Sequence, residues 1–352
     1  MMRTRIIVAG LMGLVGATVP SLVSCDEELV VLGAGIDELI KPLVQQNLAS
    51  GAVLVARGKD ILFAKGFGLA DRDHGIKNSP ATKFRIASVS KSLTAVAVMQ
   101  LVERKKINLD SPLSCYVHDF PRADEITIRQ LLNHSSGIAS TPFIDGYFEK
   151  SLQRHTLEQS ITWIRDAPLQ FAPGERFEYS NSNYILLSRV VEVASGLEYE
   201  QYMEDRIFAP AGMKDSGLDA WERIVEGRAS GYSRKPGGGV VRAAYRNPGE
   251  CFGCGALFST VVDLFLFMRA VVDSELISSE ARDTMWTPAF DTPWGSRYGL
   301  GWFLGERYGQ EMIAALGGTS GFMSLVQYFP DVDIVVIALL NQDFMLHAEL
   351  FD

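Results

Sequence analysis

Apolar residues change their rhythm twice along this chain. Two short β-type runs, 52–57 and 61–65, flank Gly58-Lys59-Asp60 and predict a hairpin. From 92 to 103 the residues are mostly good helix formers without Gly or Pro, which predicts a helix beginning close to Ser88. Helical signals then dominate at 128–132, 157–165, 184–194 and 199–207, with Gly137, Pro173-Gly174, Gly196 and Pro210 marking ends and turns. Strand character returns at 301–304, 323–328 and 334–340. A chain that starts and finishes with sheet predicts an α+β fold. Its antiparallel-sheet lobe spans about 26–109 and 229–352, a mainly helical lobe of about 110–228 is inserted, and a cleft lies between them. Val30-Val31-Leu32-Gly33-Ala34-Gly35 reads as a strand and Gly-rich turn, the opening of a dinucleotide fingerprint. Glu38 occupies the third-glycine position, however, and Asp37-Glu38 would repel a pyrophosphate.

Composition narrows the functional classes. With 352 residues, 47% hydrophobic and 21% charged, the chain is globular and can bury a sizeable core. Residues 1–25 stand apart: Arg3 and Arg5, an apolar run at 6–19, then Leu22-Val23-Ser24-Cys25. This predicts an export signal whose end resembles a bacterial lipobox, making a lipidated Cys25 the mature N-terminus of a membrane-tethered protein at the periplasm or outer surface. Plain cleavage and an uncleaved anchor are the alternatives. Removing Arg3 and Arg5 leaves 31 basic residues against 42 acidic, a net charge of −11, which speaks against a nucleic-acid partner. The remaining cysteines, Cys115, Cys251 and Cys254, are an odd number and describe no disulfide framework. Cys251-Phe252-Gly253-Cys254 is a lone C-x-x-C read as two packing thiols, with a redox disulfide as the alternative. The five histidines show no paired spacing around it, so no metal is expected.

Chemistry enters at Ser88-Val89-Ser90-Lys91. Residues three apart share a helix face, so the Lys91 amine would lie near the Ser88 hydroxyl, and burial and the helix N-terminus both disfavour its charged form. A neutral lysine can take the serine's proton. Alone, the pair also fits a capping serine with a surface lysine. Tyr179-Ser180-Asn181 adds a phenol, whose pKa Lys91 would lower so that a phenolate shares the proton traffic, and an amide that could hold Lys91 and a substrate carbonyl. A structural tyrosine with a capping asparagine is the bland reading, and Tyr245-Arg246-Asn247 is a second such triplet.

Order and spacing decide. An S-x-x-K, a Y-x-N about ninety residues on and a Gly-rich strand near the end resemble the serine β-lactamase-related superfamily, including penicillin-binding proteins and class C-type esterases. The runs at 128–138 and 255–264 resemble that superfamily as well, and Thr284-Met285-Trp286-Thr287-Pro288 resembles its LACTB branch. The resemblance implies a β-lactamase/transpeptidase-like fold and a cofactor-free serine hydrolase forming a Ser88 acyl-enzyme. Lys91 and Tyr179 would move protons, the Ser88 and Gly318 amides would hold the oxyanion, and Asn181 and Gly317 would line the substrate site. An ester, a D-amino-acid peptide or a β-lactam-like carbonyl would be attacked. Ala315-Leu316-Gly317 departs from the usual H-x-G or K-T-G, removing a group that would bind a substrate carboxylate. A catalytically weak scaffold that keeps the fold is therefore the rival reading. His134 is expected to brace the turn at Ser135-Ser136-Gly137 and to take no part in chemistry.

Overall fold

The computed structural model describes residues 25–220, 222–235 and 238–343. The expected export signal at 1–24 lies outside the described residues, and Cys25 is the first residue of helix α1 (Cys25–Gln45). Val30–Gly35 is thus helical rather than a strand and turn. The deciding signal lies further on, where Ile36, Ile40 and Leu43 recur at helical spacing and are buried. No helix among the described residues is long and apolar enough to cross a membrane.

Eight strands form one antiparallel sheet: β1 (Gly51–Arg57), β2 (Asp60–Phe67), β3 (Phe290–Asp291), β4 (Arg297–Tyr298), β5 (Phe303–Arg307), β6 (Gln310–Thr319), β7 (Phe322–Phe329) and β8 (Ile334–Leu340), in the spatial order β3-β4-β5-β6-β7-β8-β1-β2. The first hairpin docks on the last strand, Gly51 opposite Leu340 and Arg57 opposite Ile334. Both faces are covered, which explains the near-continuous apolar run of β8. Val335, Ile337 and Leu339 face one core, with Ala52 and Leu54; Ile334 and Val336 face the other, with Val53, Val55 and the Ile36–Ile40 side of α1.

Helix α2 (Ser90–Glu103) is buried along its whole length from Ser90 to Leu101, as a central helix must be. Residues 110–228 carry α3 (Ile128–Leu132), α4 (Leu157–Arg165), α5 (Asn181–Ser195) and α6 (Tyr199–Met203), and as strand only Gly217–Leu218 among the described residues. Thr127 with Gln130, and Thr156 with Gln159, close reciprocal capping boxes on α3 and α4. Helix α7 (Val261–Val272) starts at Thr260, whose side chain accepts from the Asp263 amide.

Candidate active site

Ser88 sits in the single 3₁₀ turn Ala87–Val89 that opens into α2. Ala87 is held at φ 44°, a left-handed conformation costly for a residue with a β-carbon, so the turn aiming Ser88 is fixed by its surroundings. Ser324 donates to the Ile86 carbonyl at 2.6 Å, and Gly317 lies flat against Ile86–Ser88. A β-carbon at Gly317 would collide with the Ile86 carbonyl and come within 2.8 Å of the Ser88 nitrogen, so glycine is required by close approach. Gly318, the next residue, is exposed, on the strand that abuts the Ser88 amide.

Lys91 is the second residue of α2, 1% exposed, and its hydrogen-bond partners among the described residues are uncharged. Its Nζ is 2.8 Å from Asn181 Oδ1, 2.7 Å from the Cys254 carbonyl and 2.9 Å from Ser88 Oγ. The first two partners only accept, so they use both N–H bonds of a neutral amine and leave its lone pair for the Ser88 hydroxyl. Burial alone pushes the Lys91 pKa well below its ordinary range. Asn181 is fixed in turn at the first position of α5, its amide donating to Ser140 Oγ at 3.0 Å.

Tyr179 corrects one expectation. Its ring centre is 4.8 Å from Lys91 Nζ, yet burial raises its pKa far above the usual phenol value, and the hydrogen bond with Ser88 opposes this only in part. Burial thus keeps the phenol protonated in the resting site. His134 is also placed differently from the expectation. Its Nδ1 accepts the Ser180 amide at 3.2 Å, between Tyr179 and Asn181, and its ring lies 4.3 Å from that of Tyr179. Burial holds its pKa well down, so it is a brace for the Tyr179–Asn181 segment. Asn133, through Ser135, supports the turn that follows.

Cys251 and Cys254 are joined as a disulfide instead of lying as two thiols. The three-residue spacing lets the loop curl so that both sulfurs meet while the Cys254 carbonyl turns to Lys91. Cys115 is free and exposed. That carbonyl is the site group the sequence reading missed, because a backbone acceptor has no letter of its own. Also missed was Trp294, half exposed, its ring 6.4 Å from that of Tyr179. Ala315 is buried in the core with Ile313 and Val326. Beyond Ala314, which pairs with Phe303, β6 has no strand partner on its β5 side among the described residues, and the strand emerges from the core at Gly318. Among the described residues no group of His, Cys, Asp and Glu could hold a metal. Tyr245 and Asn247 of the second triplet lie away from these contacts, Tyr245 at a separate cavity and Asn247 bonded to the Gln153 carbonyl.

Comparison with known proteins agrees in fold. The β-lactamase family model matches residues 36–350. A putative penicillin-binding protein PbpX of Bacillus subtilis is 33% identical over 255 residues, 72% of this chain and 62% of the relative, so the chain spans less than two thirds of that protein. The crystal structure of a penicillin-binding protein from Bacillus halodurans superposes with a TM-score of 0.78 at 27% identity, covering 88% of this chain and 98% of that one. A D-stereospecific amidohydrolase from Streptomyces sp. gives 0.75 at 26% identity, over 87% and 93%. The fold is the α+β, β-lactamase/transpeptidase-like one.

Proposed function

Because the chain belongs to the β-lactamase family, we propose that it is a serine acyl hydrolase working through a Ser88 acyl-enzyme. The observation that carries this reading is the hydrogen-bond set of Lys91, which leaves an uncharged amine facing the Ser88 hydroxyl. Lys91 takes the proton as Ser88 Oγ attacks the carbonyl, and the Ser88 and Gly318 amides receive the developing oxyanion. The ammonium so formed lies against the Tyr179 ring and now favours the phenolate, so Tyr179 hands its proton to the leaving group. The Lys91 ammonium returns its proton to the Tyr179 phenolate; water then attacks the acyl-enzyme, one of its protons passing through Lys91 or Tyr179 to Ser88 Oγ as the acid leaves.

Substrates with an extended amide or ester backbone suit the edge of β6 beyond Ala314, where they can add as a further strand. Small esters and D-amino-acid amides or peptides are the class proposed, in keeping with the amidohydrolase among the structural relatives. A β-lactam is expected to acylate Ser88 more readily than it turns over, since deacylation needs a water correctly placed on the opposite side.

A serine-directed fluorophosphonate tests the reading. Intact mass should rise by one adduct on the wild type and not on Ser88→Ala; an unlabelled wild type would favour the scaffold reading, in which the fold is kept without turnover. We also propose export with a tether at Cys25, which mass spectrometry of the mature N-terminus checks: any first residue other than a lipidated Cys25 rejects it.

A further inference from the structure

The turn after β6 borders a second cavity, of about 630 Å³, whose lining includes Arg85, Arg223, Arg228, Arg242, Tyr245 and Phe322. Four guanidiniums in one concavity are unusual in a chain of net charge −9. Carboxylates meet all four: Asp219, fully buried, takes Arg85 Nε at 2.7 Å on one oxygen and Arg228 on the other, Arg223 meets Glu200, and Arg242 meets Asp73 with Asp71 acting on it as well. In the Arg85–Asp219–Arg228 cluster two cations share one anion. Nη2 of Arg85 and Nε and Nη2 of Arg228 have no acceptor among the described residues. A guanidinium presents its donors as a planar fork matched to an oxyanion.

Two of the chain segments that line the cavity also run into the reacting centre. Arg85 is three residues before Ser88, and its guanidinium carbon is 5.8 Å from the Phe322 ring centre. Phe322 pairs with Thr319, and Gly317 touches the Ser88 nitrogen. From Gly317 to Thr319 is roughly 7 Å of extended strand, about the length of a para-substituted ring. Ser320 and Ala244 close the rim, joined by a 2.5 Å hydrogen bond from Ser320 Oγ to the Ala244 carbonyl.

We propose that this cavity is an anion subsite, taking a carboxylate or phosphate group carried by the substrate at the far end from the scissile carbonyl. It rests on the serine-hydrolase reading, and supplies from the Arg85–Arg228 side the charge that Ala315 does not. The chain would thus prefer anionic over neutral acyl substrates despite its own negative charge.

The test compares the acetate esters of phenol, 4-hydroxybenzoate and 4-hydroxyphenyl phosphate on wild type, Arg228→Gln and Ala244→Glu. Arg228→Gln should lower kcat/KM for the anionic esters about tenfold, mainly through KM, and leave phenyl acetate within about twofold. Ala244→Glu places a carboxylate at an exposed rim position without touching the Asp219 cluster, so it should act in the same direction even where Arg228→Gln folds poorly. Whichever anionic ester loses more identifies carboxylate or phosphate. Equal losses on neutral and anionic esters, or none, overturn the proposal. If wild type hydrolyses no ester and takes no fluorophosphonate, the hydrolase reading fails on its own. The cavity is then judged by calorimetry with 4-hydroxybenzoate and 4-hydroxyphenyl phosphate: binding of either that Arg228→Gln weakens about tenfold sustains an anion site, and no binding of either removes it.

Discussion

Two buried ionisable clusters stand on either side of the turn that carries Ser88, and they resolve burial in opposite ways. Lys91 has three polar neighbours and none of them is charged, so desolvation prevails and pushes its pKa well below the ordinary range. Asp219 has two guanidiniums and stands in an ion-paired cluster with positive charge to spare. Similar depth therefore yields a base in one place and an anion receptor in the other. The difference is made by the partners: a carbonyl and an amide oxygen orient a proton without compensating a charge, whereas a guanidinium does both.

The largest effect expected from breaking this contrast is at Asp219. Asp219→Asn leaves Arg85 and Arg228 facing each other without the shared carboxylate, and should cost about 3–5 kcal/mol of stability. Urea denaturation of variant and wild type measures it; a loss under about 1 kcal/mol would mean that solvent, not Asp219, neutralises the pair. Next is Tyr179→Phe, which keeps the ring against Lys91 and removes only the proton. Turnover of a neutral ester should fall roughly 100-fold, with acylation of Ser88 by fluorophosphonate less affected. Equal loss in both measurements would make the hydroxyl a structural group. The smallest effect is a slope. The folded pKa of Lys91 lies below its ordinary 10.5, so between those two values the unfolded chain binds more protons and stability climbs with pH, by up to about 1.4 kcal/mol per unit. Below the folded pKa this contribution is flat. Lys91→Met lacks the slope, so denaturation at several pH values between neutral and 10 should show the two proteins diverging in favour of the wild type as pH rises. Parallel curves would mean that Lys91 keeps its proton in the fold.

Much of the site was legible in the sequence. Ser88 and Lys91 are joined by local helical geometry, and three-residue spacing sets it wherever the helix forms. Tyr179, Asn181 and Gly317 became legible through the order of three motifs, which a shared ancestry preserves. The electrostatic state of Tyr179 was not legible, because it depends on whether Lys91 is charged, and that depends on burial by segments up to 163 residues away. Cys251 and Cys254 were ambiguous for a related reason: two thiols and a disulfide have the same letters, and the loop's curvature separates them. Helix α1 was misread because a Val-Val-Leu-Gly-Ala-Gly run suits either state, and the buried residues that settle it begin beyond the run.

By itself, then, the sequence determined the periodicities, the spacing of Ser88 and Lys91, and the absence of a cation at position 315. Those are properties of residue type and short spacing, which no packing alters. Only the tertiary structure decided the proton's resting place, the role of the Cys254 carbonyl and the gathering of Arg85, Arg223, Arg228 and Arg242 around one hollow. The strength of a charge inside a protein is set by what is excluded from its surroundings and what is brought within 3 Å, and distant segments meet only when the chain is folded.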